Sequence, residues 1–272
     1  MGTSPEPSAR KVALVTAAST GLGAAIARVL AFEMGMSVTI NYSNNVERAA
    51  AFVQELRDTW ESSHAAGTTL PPPVFQAIQA NLCNRSEVIR LVEEATAAAG
   101  GRLDVVVSNV GWTRMRDFSD LEDGVDEEDW DRCFGANVKA HLWLFHAARR
   151  WLEESNAREE GSAVFVSTAS IAGCKPSGSS LSYAVTKAAQ IHLIKSLAVI
   201  AAPSIRVNCV SPGVLLTDWG LSFPLARLEA VKAANKLKRF ATVEDVAEQV
   251  KTFVASKTVT GQNSIIDGGF SL

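Results

Sequence analysis

Tyr183 and Lys187 stand four residues apart in the stretch Leu181-Ser182-Tyr183-Ala184-Val185-Thr186-Lys187. The residues that follow (Ala, Ala, Gln, Ile) continue a helical composition, and on a helix positions i and i+4 share a face. An ammonium beside a phenol favours the phenolate, so the spacing predicts a tyrosine of lowered pKa. Such a tyrosine gives a proton to a carbonyl oxygen, or takes one from an alcohol, near neutral pH. Ser170 follows the apolar run Ala163-Val164-Phe165-Val166. That order places a hydroxyl at the carboxyl end of a strand, where open α/β sheets bind ligands. Taken alone, Tyr-x-x-x-Lys is a weak pattern that ordinary helix neighbours also produce.

The elements that must position these groups can be followed along the chain. Lys11 to Thr16 reads as a short buried strand, and Ala17-Ala18-Ser19-Thr20-Gly21-Leu22-Gly23 as a turn. A helix over Ala24 to Met34 is closed by Gly35, and Ser37 to Tyr42 forms a second strand. Small residues in such a turn let the backbone approach a pyrophosphate, and the helix amino terminus offers it unpaired N–H groups. Asn44 to Ser62 is an amphipathic helix, His64 to Pro73 an exposed insertion ending in three prolines, and Val74 to Ala80 a third strand. A helix from Asn84 to Ala99, an apolar strand Leu103 to Ser108 and a loop from Trp112 to Gly124 follow. Asp126 to Glu153 reads as one long helix, and Glu153 to Gly161 as a charged, solvated connection. After Ser170 come the helix from Leu181 to about Ala202, a strand Ile205 to Val210, and a variable, partly helical segment Leu215 to Phe240. Thr242 opens a last helix with a Thr-x-x-Asp start, and Ser264 to Ile266 is a last strand. Strands and helices alternate, which predicts a parallel sheet of about seven strands with helices on both faces. The fold class is α/β, a doubly wound Rossmann-type domain. Residues 1–10 are expected to be a flexible tail, 11–272 one domain, and 215–240 a substrate lid.

Composition closes off several function classes. The chain has 272 residues, 47% hydrophobic and 20% charged, with a net charge of -3. That balance is globular and offers no basic footprint for nucleic acid. No apolar run approaches the ~18 residues of a membrane span, and Met1 to Ala9 does not read as a signal peptide. Cys83, Cys133, Cys174 and Cys209 are scattered, so reduced and mostly buried thiols in a cytoplasmic protein are expected. With His64, His141, His146 and His192 they form no metal-like cluster. His192 is expected on the apolar side of its helix, as a packed core histidine.

The assembled pattern resembles the short-chain dehydrogenase/reductase family over about Lys11 to Phe270. Thr16 to Gly23 resembles its Thr-Gly-x-x-x-Gly-x-Gly cofactor turn, with Ala17 in place of the first glycine. Asn109-Val110-Gly111 resembles the Asn-Ala-Gly that follows the fourth strand. Pro212-Gly213 and Thr217 resemble the Pro-Gly-x-x-x-Thr segment, and Asp267-Gly268-Gly269 the ending of the last strand. Asn137, Ser170, Tyr183 and Lys187 fall where the family's catalytic tetrad falls. The resemblance implies that Tyr183 is the general acid or base and that Lys187 lowers its pKa and holds the nicotinamide ribose. It implies that Ser170 orients the substrate oxygen and that Asn137 supports Lys187 through a water. Cofactor contacts are implied for Ala17, Ser19, Thr20, Gly21, Leu22, Asn41, Tyr42, Ser43, Asn81, Leu82, Asn109, Gly111, Tyr183, Lys187, Pro212, Gly213, Leu215 and Thr217. Asn81 replaces an acid the family often carries near the adenine. The resemblance also implies a homodimer or homotetramer built through the long helices.

An acid at the end of the second strand would bind a ribose 2′-hydroxyl and repel a 2′-phosphate. This chain has Asn41-Tyr42-Ser43-Asn44 there, with no acid before Glu47, which favours NADP(H) over NAD(H). The turn offers Thr20 rather than a basic residue, and Arg48 lies too far along the chain to be claimed as a partner for the phosphate. Substrate contacts are expected from Trp112, Met115, Cys174, Trp219 and Phe223, with Pro176, Leu215 and Leu221 beside them. Their apolar character suggests a bulky or aromatic ketone. The expected activity is therefore an NADP(H)-dependent interconversion of a ketone or aldehyde with an alcohol. A serine hydrolase would need a Gly-x-Ser-x-Gly elbow, and Ser170 sits in Thr-Ala-Ser-Ile-Ala. The same fold in a non-redox role (cyclisation, dehydration, isomerisation or cofactor sensing) is the alternative.

Overall fold

The computed structural model describes residues 10–63 and 70–272. Seven strands, β1 (Val12–Val15), β2 (Ser37–Tyr42), β3 (Phe75–Gln79), β4 (Val105–Ser108), β5 (Val164–Thr168), β6 (Arg206–Pro212) and β7 (Asn263–Ile266), form one sheet. Their order is β3-β2-β1-β4-β5-β6-β7, and every pairing is parallel. The expected α/β doubly wound architecture is therefore present.

Alternation along each strand sends successive side chains to opposite faces, and here both faces are apolar. Ala13, Val15, Val105, Val107, Val164 and Val166 face a layer that includes α1 (Gly21–Arg28), α2 (Val46–Ser63) and α8 (Val243–Ala255). Val12, Leu14, Val106, Phe165 and Cys209 face the opposite layer of α3 (Arg85–Ala98), α5 (Ala140–Arg158) and α6 (Leu181–Ala201). β1 is the strand from which the chain leaves in both directions, to β2 on one side and β4 on the other. A crevice must open between their carboxyl ends, because the loops after β1 and β4 turn to opposite faces.

Several boundaries differ from the sequence reading. The first helix starts at Gly21, not Ala24, and its end, Val29–Glu33, widens into a π-type turn before Gly35 at φ +62. The expected helix from Asp126 to Glu153 is interrupted. It consists of α4 (Glu127–Phe134), a π-type turn Gly135–Lys139, and α5. The expected solvated connection after Glu153 is helical as far as Arg158. The i, i+4 pairs Arg149–Glu153 and Glu154–Arg158 run along it, a charge pattern that supports a helix as readily as a loop. In the 215–240 segment the regular piece is α7 (Leu225–Ala234), preceded by a short tight turn at Gly220–Ser222.

His192 is exposed, contrary to expectation, and among the described residues the buried histidine is His141. The thiols divide evenly rather than being mostly buried: Cys133 and Cys209 are buried, Cys83 and Cys174 exposed, and all four are free. By length and composition α6 could cross a bilayer, more than the sequence reading allowed, but half of that apolar window is buried within the fold. The expected flexible tail lies outside the described residues up to Ala9. Its last residue, Arg10, is anchored, donating to Gly35 O at 2.6 Å and stacking on Trp60 at 4.8 Å. Of the expected insertion at 64–73, residues 64–69 lie outside the described residues, and Pro71 and Pro72 are exposed.

Candidate active site

The crevice between the ends of β1 and β4 continues over β5 and β6 as a cavity of about 820 Å³. Its floor and walls include Thr20, Gly21, Leu22, Asn109, Gly111, Ser170, Tyr183, Lys187, Pro212, Gly213, Leu215 and Thr217, so most of the expected residues meet here. Four loops deliver them, each leaving the carboxyl end of a strand.

The loop after β1 forms the phosphate-sized end. Thr20 precedes α1 in extended backbone and makes no side-chain cap, so the first-turn N–H groups of α1 have no side-chain acceptor. A helix amino terminus of that kind is an anion site. Gly23 is required beside it: a Cβ there would lie 2.5 Å from Ala17 O and 2.7 Å from Ala18 Cα. Ala17 itself adopts φ +49, the left-handed conformation that the glycine in the resembled motif would take at no steric cost. Two hydrogen bonds hold it there. Its N–H donates to Asn41 Oδ1 at 3.2 Å, and its carbonyl accepts from Asn109 Nδ2 at 3.2 Å.

Those bonds correct the expectation for Asn41. Its side chain is spent inside the protein: besides accepting from Ala17 it donates to Ala80 O at 3.1 Å, and the residue is 2% exposed. Asn41 shapes the turn from beneath and does not face the crevice. Leu82 is likewise buried in the core layer, with its side chain turned from the surface. Asn81 is exposed, accepting from Cys83 N–H through Oδ1. Ser19, Tyr42, Ser43 and Asn81 lie along the same carboxyl edge, outside the cavity wall.

At the other end stands α6. Ser180 caps it by accepting from the Tyr183 N–H, and Tyr183 and Lys187 then project one turn apart. Lys187 Nζ lies 5.6 Å from the Tyr183 ring centre. The Ser170 hydroxyl lies near the Tyr183 phenol and acts to lower its pKa. Ser170 opens a short turn, Ile171–Gly173, accepting from Ala172 N–H at 3.2 Å. Gly173 lets that turn lie flat on α6, since a Cβ there would stand 2.6 to 2.8 Å from the backbone of Lys187 and Ala188.

The electrostatics differ from the sequence expectation. Burial pushes the Tyr183 phenol up to about 12, with the neighbouring Ser170 hydroxyl opposing it. Burial also pulls the Lys187 ammonium down to about 7. Desolvation thus governs the phenol in the polypeptide alone, and the neighbouring Lys187 does not lower it as charge alone would predict.

Asn137 sits in the π-type turn, fully buried. Its Oδ1 accepts from Trp112 N–H at 2.8 Å, and its Nδ2 donates to Trp112 O at 2.9 Å and Thr186 Oγ1 at 3.0 Å. The side chain thus clamps Trp112, and its Oδ1 and Lys187 Nζ stand 3.3 and 3.5 Å from the point where a Cβ on Gly111 would lie. Of the expected substrate contacts, Trp112, Leu215, Trp219 and Phe223 line the cavity. Met115, Pro176 and Leu221 do not, and Leu221 is 60% exposed. Cys174 is turned toward the last strands, its sulfur 3.2 Å from Asn263 Nδ2.

Several lining residues carried no signal strong enough to find in the sequence. Arg48, from the first turn of α2, borders the cavity beside Thr20 and Gly21 and pairs at 3.7 Å with Asp218, which follows Thr217. Arg227 of α7 donates to Gly178 O at 2.6 Å and ties the 215–240 segment across the opening. Thr168 Oγ1 and Asn235 Oδ1 are buried without a partner and belong to cavity-lining residues. An anion-receptive helix end and a long crevice together fit an elongated ligand with phosphates at one end.

Comparison with known proteins agrees with this geometry. The family model described as short chain dehydrogenase matches residues 11–223. A chain assigned as ketoacyl reductase 2 of the granaticin polyketide synthase of Streptomyces violaceoruber is 35% identical over 263 residues, covering 96% of this chain and 96% of that one. The 3-oxoacyl-[acyl-carrier-protein] reductase FabG of Staphylococcus aureus is 32% identical over 95% of this chain and 97% of its own length. Among solved structures, a short chain dehydrogenase from Burkholderia cenocepacia in complex with NADP superposes with a TM-score of 0.82 at 31% identity, over 96% of this chain and 98% of that one.

Proposed function

We propose that this chain, which belongs to the short-chain dehydrogenase/reductase family of oxidoreductases, interconverts a ketone or aldehyde and an alcohol with NADP(H). The observation that carries the reading is the grouping of Ser170, Tyr183 and Lys187 around one cavity whose far end is the exposed amino terminus of α1. The dinucleotide, when bound, supplies or accepts the hydride. Everything else falls to the chain. The α1 N–H groups hold phosphate oxygens. Ser170 hydrogen-bonds the substrate oxygen, and Tyr183 gives it a proton as carbonyl becomes alcohol, or takes the proton in the reverse direction. Lys187 holds a positive charge one turn from the phenol. Closing the site over these groups removes water, which strengthens each interaction.

The cofactor choice follows from charge. No acid stands at the end of β2, so nothing there repels a 2′-phosphate, and Arg48 adds a cation on that side of the crevice. The solved relative bound to NADP supports the same reading. The substrate end is walled by Trp112, Ile171, Trp219, Phe223, Leu228 and Phe270, which suits a bulky or aromatic ketone. The relatives named as ketoacyl reductases place β-ketoacyl compounds in the first screen. The 215–240 segment acts as the lid, hinged where Arg227 and Asp218 touch the body of the protein. Exposed Leu142 on α5 and exposed Val185 and Val199 on α6 support assembly into a homodimer or homotetramer through these helices, and four free thiols suit a cytoplasmic protein.

The test is thermal unfolding with NADPH and, separately, NADH, followed by NADPH oxidation with a ketone panel. At ~100 times its Kd a ligand adds about 2.7 kcal/mol to stability. A shift with NADPH and ketone-dependent oxidation are expected. Tyr183→Phe is expected to lose turnover and keep the NADPH shift; a Tyr183→Phe enzyme that still turns over would end the mechanism. Binding without oxidation of any ketone would transfer weight to the non-redox alternative.

A further inference from the structure

Beneath Lys187 lies a set of buried polar side chains that the reaction above leaves without a role. Gln190, fully buried on α6, accepts from Lys187 Nζ at 2.9 Å through Oε1. Its amide donates to Ser167 Oγ at 2.7 Å and to Thr168 O at 3.0 Å. Thr168 O also accepts from Lys187 Nζ, at 3.0 Å. Behind Ser167 stands His141, fully buried, with Nε2 at 3.1 Å from Val110 O and Nδ1 at 2.7 Å from Ser108 Oγ and 3.0 Å from Ser167 Oγ.

The orientation of Gln190 follows from its neighbours. Its amide nitrogen also lies 3.1 Å from His141 Nε2, which faces Val110 O as well, so these contacts do not assign the His141 tautomer. Ser167 accepts from Gln190. Oε1 must face the ammonium, because the flipped amide would set –NH2 against –NH3+ and Oε1 against Thr168 O. The network spans the ends of β4 and β5, the start of α5, and α6. No anion takes part. The titratable groups that face Lys187 are Tyr183 on α6, Cys133 on α4, Cys209 on β6 and His141 on α5. A buried ammonium without a carboxylate partner depends on neutral oxygens to hold its proton, and here there are two.

We propose that Gln190 is a positioning residue: with Thr168 O it fixes the Lys187 ammonium beside Tyr183 and, braced by Ser167 and His141, keeps it protonated near neutral pH. The inference rests on the reading of Tyr183 and Lys187 as the proton-transfer pair. Burial, partly opposed by Cys133 and Cys209, draws Lys187 down to about 7, so loss of an oxygen acceptor at Nζ falls where the proton is readily given up.

The test uses the full chain carrying lysine labelled at its ε-carbon, without cofactor, followed by NMR across pH. Ordinary lysines titrate near 10.4, so a resonance with a midpoint close to neutrality stands apart, and its loss in Lys187→Met assigns it. Gln190→Leu is expected to lower that midpoint by about one pH unit, the scale of one hydrogen bond to a charged group. Gln190→Glu is expected to raise it by at least as much, and it carries the test if Gln190→Leu does not fold. Variants that lose thermal stability while the Lys187 midpoint stays fixed would show a merely structural glutamine and overturn the proposal. In turnover, the basic limb of kcat, where an essential ammonium loses its proton, should move with the same sign while KM for NADPH changes little. The NMR result stands whether or not any ketone is reduced, so failure of this inference and failure of the oxidoreductase reading are separable.

Discussion

At the scale of single residues, the site is governed by what burial does to charge. Tyr183 and Lys187 move in opposite directions, up to about 12 and down to about 7, because each resists ionisation away from water. His141 shows the same cause more strongly. Burial, with the Lys187 charge adding to it, pulls this imidazole from 6.5 to about 3. Between pH 6.5 and about 3 the unfolded chain therefore takes up a proton that the folded chain refuses. The contribution is present above pH 6.5 and is lost as the pH falls through that window. Wild-type Tm should drop across this range, and His141→Gln, whatever its starting Tm, should show a shallower slope. Parallel slopes would mean that His141 is not buried neutral.

Among the elements, the decisive contact is that of the Ile171–Gly173 turn on α6, because it sets the distance from Ser170 to Tyr183. Gly173 makes the contact possible. A methyl group there would meet the backbone of Lys187 and Ala188, which cannot rotate aside. Gly173→Ala should cost about 1–3 kcal/mol, the range for overpacking, measured as a lower urea midpoint. The displaced Ser170 should also reduce kcat by more than it weakens NADPH binding. Equal losses in both would place the damage elsewhere. The π-type turn at Gly135–Lys139 is a second such device. It carries Asn137 into the core, where the side chain fixes Trp112, and so shapes the cavity wall through the backbone of a neighbouring loop.

At the scale of the molecule, the crevice joins parts of the chain that are distant in sequence, and its rim is held by contacts of unequal strength. Arg48 and Asp218 are 50% and 79% exposed at their side chains, so their 3.7 Å pair is worth little by itself. That weakness leaves Arg48 available to a phosphate. Arg48→Gln should raise the Kd for NADPH roughly tenfold, the scale of one charge-assisted hydrogen bond, with little change for NADH. Titration of intrinsic tryptophan fluorescence would read both. An equal loss for both nucleotides would assign Arg48 to the shared pyrophosphate instead.

Much of this was determined by the sequence itself. Alternating apolar strands and amphipathic helices dictate a parallel sheet covered on both faces, since no other arrangement buries runs such as Val105–Val107 and Ala163–Val166. The spacing of Tyr183 and Lys187 needs only helical periodicity, and a small-residue turn after a strand needs only local geometry. What the sequence could not carry depends on neighbours far along the chain. Asn41 looked like a cofactor contact because it ends β2, but its side chain is consumed by Ala17 and Ala80. That Asn137 grips Trp112 could not be read from its place in the motif. The lowered tyrosine pKa followed from charge alone, whereas the folded protein adds desolvation, which only burial can reveal. Gln190, His141 and Ser167 lie far apart in the chain and look like ordinary polar residues. Packing α5 and α6 against the ends of β4 and β5 brings them together, and with water excluded each must find its hydrogen bonds among the others.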